Sequence, residues 1–176
     1  MTKSELARKI YQCSHLTGTF LLRSGKTSNE YFDKYQFESN PRLLSEIAKQ
    51  MTGFIPKNTD YLGALEMGGI PIATALSLET GIPVVFVRKT AKEYGTCKFA
   101  EGPSVKGKRI TLIEDVITTG GQVVISCEDL RKEGAIIENV LCVIDRSEGQ
   151  TEKLQEAGLI MKALFTMAEL KAAGEG

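Results

Sequence analysis

Arg109 to Gln122 reads RITLIEDVITTGGQ: an apolar strand, two adjacent acids, two apolar residues, two threonines, two glycines and the start of a helix. Each part has its own physical use. Glycines let a backbone approach a phosphate closely, a helix amino terminus offers N–H groups and a favourable dipole, and the Thr118 and Thr119 hydroxyls add donors. Glu114 and Asp115 are expected to end the preceding strand, one sugar length from that phosphate. There they can accept hydrogen bonds from ribose hydroxyls or from water held on Mg2+. Alone, TTGG is as readily a plain turn from strand to helix. Two acids directly after an apolar strand are more telling, because burying them is costly unless they are paired or functional. The stretch has neither the GK[ST] of a Walker A loop nor a GxGxxG fingerprint.

The flanking sequence repeats the alternation. Pro83 to Val87, Ile110 to Ile113 and Val140 to Ile144 are short continuous apolar runs of the kind found in buried parallel strands. A further strand is expected near Tyr61 to Leu65, followed by the turn EMGG and a helix from Pro71 to just before Gly81. Gln122 to Glu133 carries Val123, Val124, Cys127 and Leu130 on one face and stops at Gly134, where a left-handed cap is expected. After Gln150 come a short helix, a strand near Leu159 to Phe165 and a terminal helix. The pattern predicts an α/β fold with a central, mostly parallel sheet flanked by helices and a ligand site at the carboxyl ends of its strands.

Towards the amino terminus, Leu6, Ile10 and Cys13 recur at helical spacing after the candidate caps Thr2 and Ser4. Gly18 to Leu22 and Glu30 to Phe37 read as two strands of a hairpin joined by RSGKTSN. Asn40-Pro41 supplies a cap and a first helical residue for a helix bearing Leu43, Leu44, Ile47, Ala48 and Met51. Arg88 to Lys108 fits neither period and is expected to be a mobile lid loop. The expected organisation is one domain over residues 1–176, with an amino-terminal helix and hairpin in 1–40, an α/β core in 41–176 and the lid in 88–108.

Lysine and arginine total 22, as do aspartate and glutamate, so no net positive field attracts nucleic acid or an anionic membrane. No nucleic-acid or membrane partner is expected. No apolar run is long enough to cross a bilayer, and MTKSELARKIYQCSH lacks the apolar core of a signal peptide, so a cytoplasmic address is expected. The four cysteines form no CxxC pair and the single histidine is His15. Neither a zinc site nor a disulfide framework is expected, and no protein-bound metal is assigned.

IEDVITTGG resembles the phosphoribosyl-diphosphate signature of the type I phosphoribosyltransferases, and within them the chain is similar to the orotate-specific group from roughly Leu16 to Glu148. The resemblance implies that Glu114, Asp115, Val116, Ile117, Thr118, Thr119, Gly120, Gly121 and Gln122 bind phosphoribosyl diphosphate. It implies that FLLRSGKTSNEYFD, Phe20 to Asp33, is a small amino-terminal hood over the base. Arg23, Tyr31, Phe32, Thr118 and Arg146 are then implied to contact orotate. Arg23 stands where the family often has lysine. GALEMGGIP, Gly63 to Pro71, resembles the pyrophosphate loop, through Glu66, Met67, Gly68 and Gly69. VRKTAKEYGTCKF, Val87 to Phe99, resembles the basic strand end and mobile lid, with Arg88, Lys89 and Lys92 on the phosphates and Tyr94 where many members have histidine.

The implied reaction joins orotate to phosphoribosyl diphosphate, giving orotidine monophosphate and pyrophosphate, with Mg2+ as cofactor and Lys92 and Asp115 as catalytic residues. The resemblance further implies a homodimer in which lid-loop lysines are shared between subunits. A purine phosphoribosyltransferase and a non-catalytic regulator that binds phosphoribosyl diphosphate are the alternatives.

Overall fold

A computed structural model describes residues 1–22, 24–90 and 99–175. The chain opens with α1 (Lys3–Ser14), whose cap is Thr2: its hydroxyl accepts from the Glu5 N–H, and the Glu5 carboxylate accepts from the Thr2 N–H. The strands β1 (His15–Leu21) and β2 (Thr27–Phe32) form an antiparallel hairpin in which Leu16 faces Tyr31. The second strand is shorter than the expected Glu30 to Phe37. Asp33 ends it, because its carboxylate accepts from the Tyr35 N–H and the Gln36 side chain, and this turn leads into the single-turn helix α2 (Tyr35–Glu38). Asn40 then caps α3 (Pro41–Met51) by accepting from the Arg42 and Leu43 N–H groups, as its sequence predicts.

The main sheet is built from β3 (Tyr61–Leu65), β4 (Val84–Val87), β5 (Ala100–Glu101), β6 (Arg109–Ile117), β7 (Ile136–Asp145) and β8 (Ile160–Thr166), in the order β5-β4-β3-β6-β7-β8. All neighbours are parallel except β4 and β5. The helices α4 (Gly69–Thr80), α5 (Gly121–Lys132), α6 (Glu152–Glu156) and α7 (Met167–Glu175) follow β3, β6, β7 and β8. Helix α4 begins two residues before the expected Pro71.

Strand periodicity distributes the core over both faces of the sheet. Ile113, Leu141 and Val143 pack with α1, α3, α4 and α7 on one face. Leu112, Val140 and Cys142 pack with α5 and α6 on the other. Leu112 and Ile113 are both fully buried, and burying such a side chain stabilises by about 1.5–3 kcal/mol.

Two expectations change at the strand ends. The acids Glu114 and Asp115 do not terminate β6, which runs on to Ile117 because Val116 and Ile117 continue the ladder with Ile144 and Asp145. The stretch 88–108 is not loop throughout: β5 adds an antiparallel edge to β4, and Phe99, Ala100 and Val105 are buried in the second core cluster. Apolar residues at these three positions anchor the return of the chain to the sheet.

Candidate active site

Helix α4 carries the chain from β3 to β4 on one side, whereas α5 carries it from β6 to β7 on the other. The carboxyl ends of β3 and β6 are therefore the point where the winding reverses, and a crevice for a ligand opens at such a point. Two glycine-rich turns leave the sheet there: Glu66 to Gly69 after β3 and Thr118 to Gly121 after β6.

The first turn is fitted against β6. A Cβ at Gly68 would overlap the Asp115 carboxylate, and one at Gly69 would strike the Ile113 carbonyl. Glu66 and Met67 are joined by a cis peptide bond. The Glu66 carboxylate accepts from the Lys89 N–H, which ties this turn to the basic end of β4. Lys89 is exposed; the Arg88 side chain pairs with Glu101 on β5 at 3.4 Å. Lys92 and Tyr94 lie outside the described residues, as does Arg23 of the hairpin turn.

The second turn has the form of an anion cradle. Gly120 caps α5 in the left-handed conformation, φ 69°, and no side chain of the described residues caps it. The first N–H groups of α5 consequently face outward at the positive end of the helix dipole, beside the exposed Thr118 and Thr119. Gly121 is half-buried and Gln122 exposed, its amide reaching Ser126. Val116 is half-buried, Ile117 buried in the core. Arg146 is exposed just past β7, and its N–H donates to the Ile117 carbonyl at 2.8 Å. Its backbone is thereby fixed beside the start of the cradle.

Around Asp115, against the first turn, lies a group of charges that sequence reading missed in part. Asp115 is 1% exposed; its Oδ1 accepts from the Val116 N–H, and its Oδ2 makes an ion pair with Lys34 but no well-aligned hydrogen bond. Glu38, at the end of α2, is also buried, and its Oε1 has no hydrogen-bond partner among the described residues. Burial and the adjacent Asp115 push the Glu38 carboxyl up to about 9. Burial, then the Asp115 charge, push Glu114 up to about 8. Burial acts on Asp115 in the same direction, but the contacts from Lys34, Glu38 and Glu114 outweigh it and hold Asp115 below the ordinary range.

Magnitudes account for this division. Two like charges about 4 Å apart repel by about 4 kcal/mol at an effective dielectric constant near 20. Keeping an ordinary carboxyl protonated at neutral pH costs about 3.5 kcal/mol, so retaining protons is competitive with three adjacent negative charges, and burial tips the balance. Asp115 is the member that stays ionised, because the Lys34 ammonium pairs directly with its carboxylate.

Lys34 and Glu38 fall in and just beyond the segment read as strand, and their partner lies far along the chain. Of the expected hood contacts, Tyr31 is exposed with its ring 5.5 Å from that of Phe20, while Phe32 is half-buried and packs on the first core cluster.

A family model described as the phosphoribosyl transferase domain matches residues 34–159. The chain belongs to the phosphoribosyltransferase family. Among relatives of this phosphoribosyltransferase is a protein of Nocardioides sp. named orotate phosphoribosyltransferase, 54% identical over 170 residues that cover 97% of this chain and 95% of that protein. A solved structure of Mycobacterium tuberculosis orotate phosphoribosyltransferase superposes with a TM-score of 0.85 at 29% identity, covering 96% of this chain and 98% of that one. The same mycobacterial protein solved with phosphoribosyl diphosphate gives a TM-score of 0.81 at 26% identity, with the same coverage. The α/β architecture expected from the sequence is thus the type I phosphoribosyltransferase fold.

Proposed function

We propose that this phosphoribosyltransferase acts on orotate and phosphoribosyl diphosphate, forming orotidine 5′-phosphate and pyrophosphate in pyrimidine biosynthesis. The observation that carries the reading is the cradle after β6 with the ionised, buried Asp115 just before it and Arg146 just beside it. The relatives named above support the choice of base.

The Gly120–Gln122 helix start and the Thr118 and Thr119 hydroxyls receive the 5′-phosphate, with Val116 and Ile117 forming the floor. Asp115 accepts from the ribose hydroxyls. Glu66, Met67, Gly68 and Gly69 line the pyrophosphate side, where Arg88, Lys89 and Lys92 supply positive charge. Arg23, Tyr31, Phe32, Thr118 and Arg146 form the base side. The bond from the anomeric carbon to pyrophosphate oxygen breaks with its electron pair leaving on pyrophosphate, and the orotate ring nitrogen forms the new bond to that carbon, its proton passing to solvent. The transition state has oxocarbenium character, so positioning and charge neutralisation outweigh proton transfer.

Glu114 and Asp115 offer oxygen acceptors suited to the water shell of Mg2+, but no group of three metal-ligating side chains is found among the described residues. These two acids would hold the hydrated cation, which would neutralise charge on the leaving group. We further propose a cytoplasmic homodimer in which lid-loop lysines of one subunit serve the site of the other. Among the described residues no helix is long and apolar enough to cross a membrane.

The base assignment is tested with Arg146→Ala. Removing a cation that faces the orotate carboxylate should weaken orotate by about 2–5 kcal/mol and leave phosphoribosyl diphosphate nearly unchanged. Equal weakening of both would assign Arg146 to the scaffold instead.

A further inference from the structure

Lys34, just past the hairpin, reaches the buried Asp115 carboxylate and makes an ion pair with it. Its backbone is held by the Asp33 turn, in which one carboxylate oxygen accepts from the Tyr35 N–H at 3.1 Å and the other from Gln36 at 2.9 Å. Its ammonium also lies 5.2 Å from the centre of the Tyr35 ring. At the other end of the contact, Asp115 is fixed by the Val116 N–H on Oδ1 and confined by Gly68 at Oδ2. A buried carboxylate so confined needs a donor on its second oxygen, because leaving such a group without one is strongly unfavourable.

We propose that Lys34 is a positioning residue for the sugar site: it holds Asp115 in its accepting orientation before the donor binds, then yields that oxygen to the ribose hydroxyls of phosphoribosyl diphosphate. The inference rests on the phosphoribosyltransferase reading above. Exposure decides which partner moves. The Lys34 side chain is 33% exposed and that of Asp115 only 1%, so the lysine, on its flexible four-carbon stem, can withdraw while the aspartate stays. Without the ammonium, Asp115 is left among Glu38 and Glu114, both carboxyls, and its second oxygen turns to one of them. The donor's hydroxyls then meet a misoriented acceptor. Because Lys34 follows the hairpin strand bearing Tyr31 and Phe32 by two residues, withdrawal of its side chain also links occupancy of the sugar site to the hairpin.

The test compares wild type, Lys34→Met and Lys34→Arg as full chains. Affinity for phosphoribosyl diphosphate is measured by calorimetry without any base, and steady-state constants are measured with orotate. The Met variant, similar in length but uncharged, should bind phosphoribosyl diphosphate at least tenfold more weakly and raise its KM in parallel. The KM for orotate should change less than twofold, and kcat at saturating donor less than threefold. The Arg variant should recover donor affinity to within about threefold of wild type, following the charge. A folded Met variant with unchanged donor affinity, or an Arg variant no better than Met, overturns the proposal. If Met does not fold, Lys34→Gln takes its place under the same criteria. Wild type that binds phosphoribosyl diphosphate but ignores orotate would refute the base assignment alone and leave Lys34 to be judged by calorimetry. Wild type that fails to bind the donor at all would overturn both.

Discussion

Gly68 packs so tightly on Asp115 that the turn after β3 and the acid in β6 occupy one shared volume: any Cβ at position 68 would coincide with the carboxylate. The relationship joins the proposed pyrophosphate and sugar subsites across the point where the sheet reverses its winding. It predicts that Gly68→Ala displaces either the turn or Asp115. Overpacking of this kind destabilises by about 1–3 kcal/mol, and donor affinity should fall at least tenfold. Thermal unfolding together with calorimetry of phosphoribosyl diphosphate binding checks both; wild-type affinity in the variant would mean that the turn and the acid are not coupled.

The cradle after β6 makes a separate demand. Gly120 has φ 69°, and a Cβ there would meet the Leu154 side chain at 2.7 Å. A β-branched residue is strained in that conformation by roughly 1–2 kcal/mol, in addition to the clash. Gly120→Val should thus lose affinity for phosphoribosyl diphosphate and for orotidine monophosphate alike, since both present a 5′-phosphate. Retention of either would show that the loop serves only as a turn.

Stability should respond to pH through Glu38. Its folded-state value near 9 lies above the ordinary 4.5, so its contribution is fully present below about pH 4.5 and is lost as pH rises towards 9. One such group gives a slope of up to about 1.4 kcal/mol per pH unit. Glu38→Gln removes that slope, so Tm between pH 6 and 9 should fall less in the variant than in wild type. The residual decline belongs to Glu114, raised to about 8. Parallel Tm curves would show that Glu38 ionises without penalty.

The alternation of strands and helices was legible because buried parallel strands need continuous apolar runs, and Asn40-Pro41 and Gly134 are local signals that act where they stand. The proposed site could be read from the sequence only where it is contiguous, in Glu114 to Gln122. It was not legible where it is assembled over distance. Lys34 and Glu38 lie in a stretch whose aromatic residues suggest strand to Phe37, while the Asp33 side chain imposes a turn at once, and nothing local reveals that both face Asp115. The extension of β6 past its acids was hidden for the same reason: charged residues suggest a strand end unless their buried partners are known. Phe99, Ala100 and Val105 were too few and too scattered to mark the ordered return of the chain.

The shared-site dimer makes a quantitative prediction. Lys92→Ala and Asp115→Asn should each be inactive, and mixing them should restore activity, because one site in each mixed dimer receives both intact residues. Random exchange in a two-fold dimer gives about half mixed dimers and so about a quarter of wild-type activity. No recovery despite demonstrated exchange would leave Lys92 serving its own chain.

The choice of base is measured by the ultraviolet absorbance of orotate incubated with the wild-type protein, phosphoribosyl diphosphate and Mg2+, run beside adenine, hypoxanthine, guanine and uracil. Orotate should disappear only when the phosphoribosyl donor is present, with release of pyrophosphate in equal amount, and the other bases should remain. Consumption of a purine with orotate untouched, or of no base at all, would rule out orotate as the substrate.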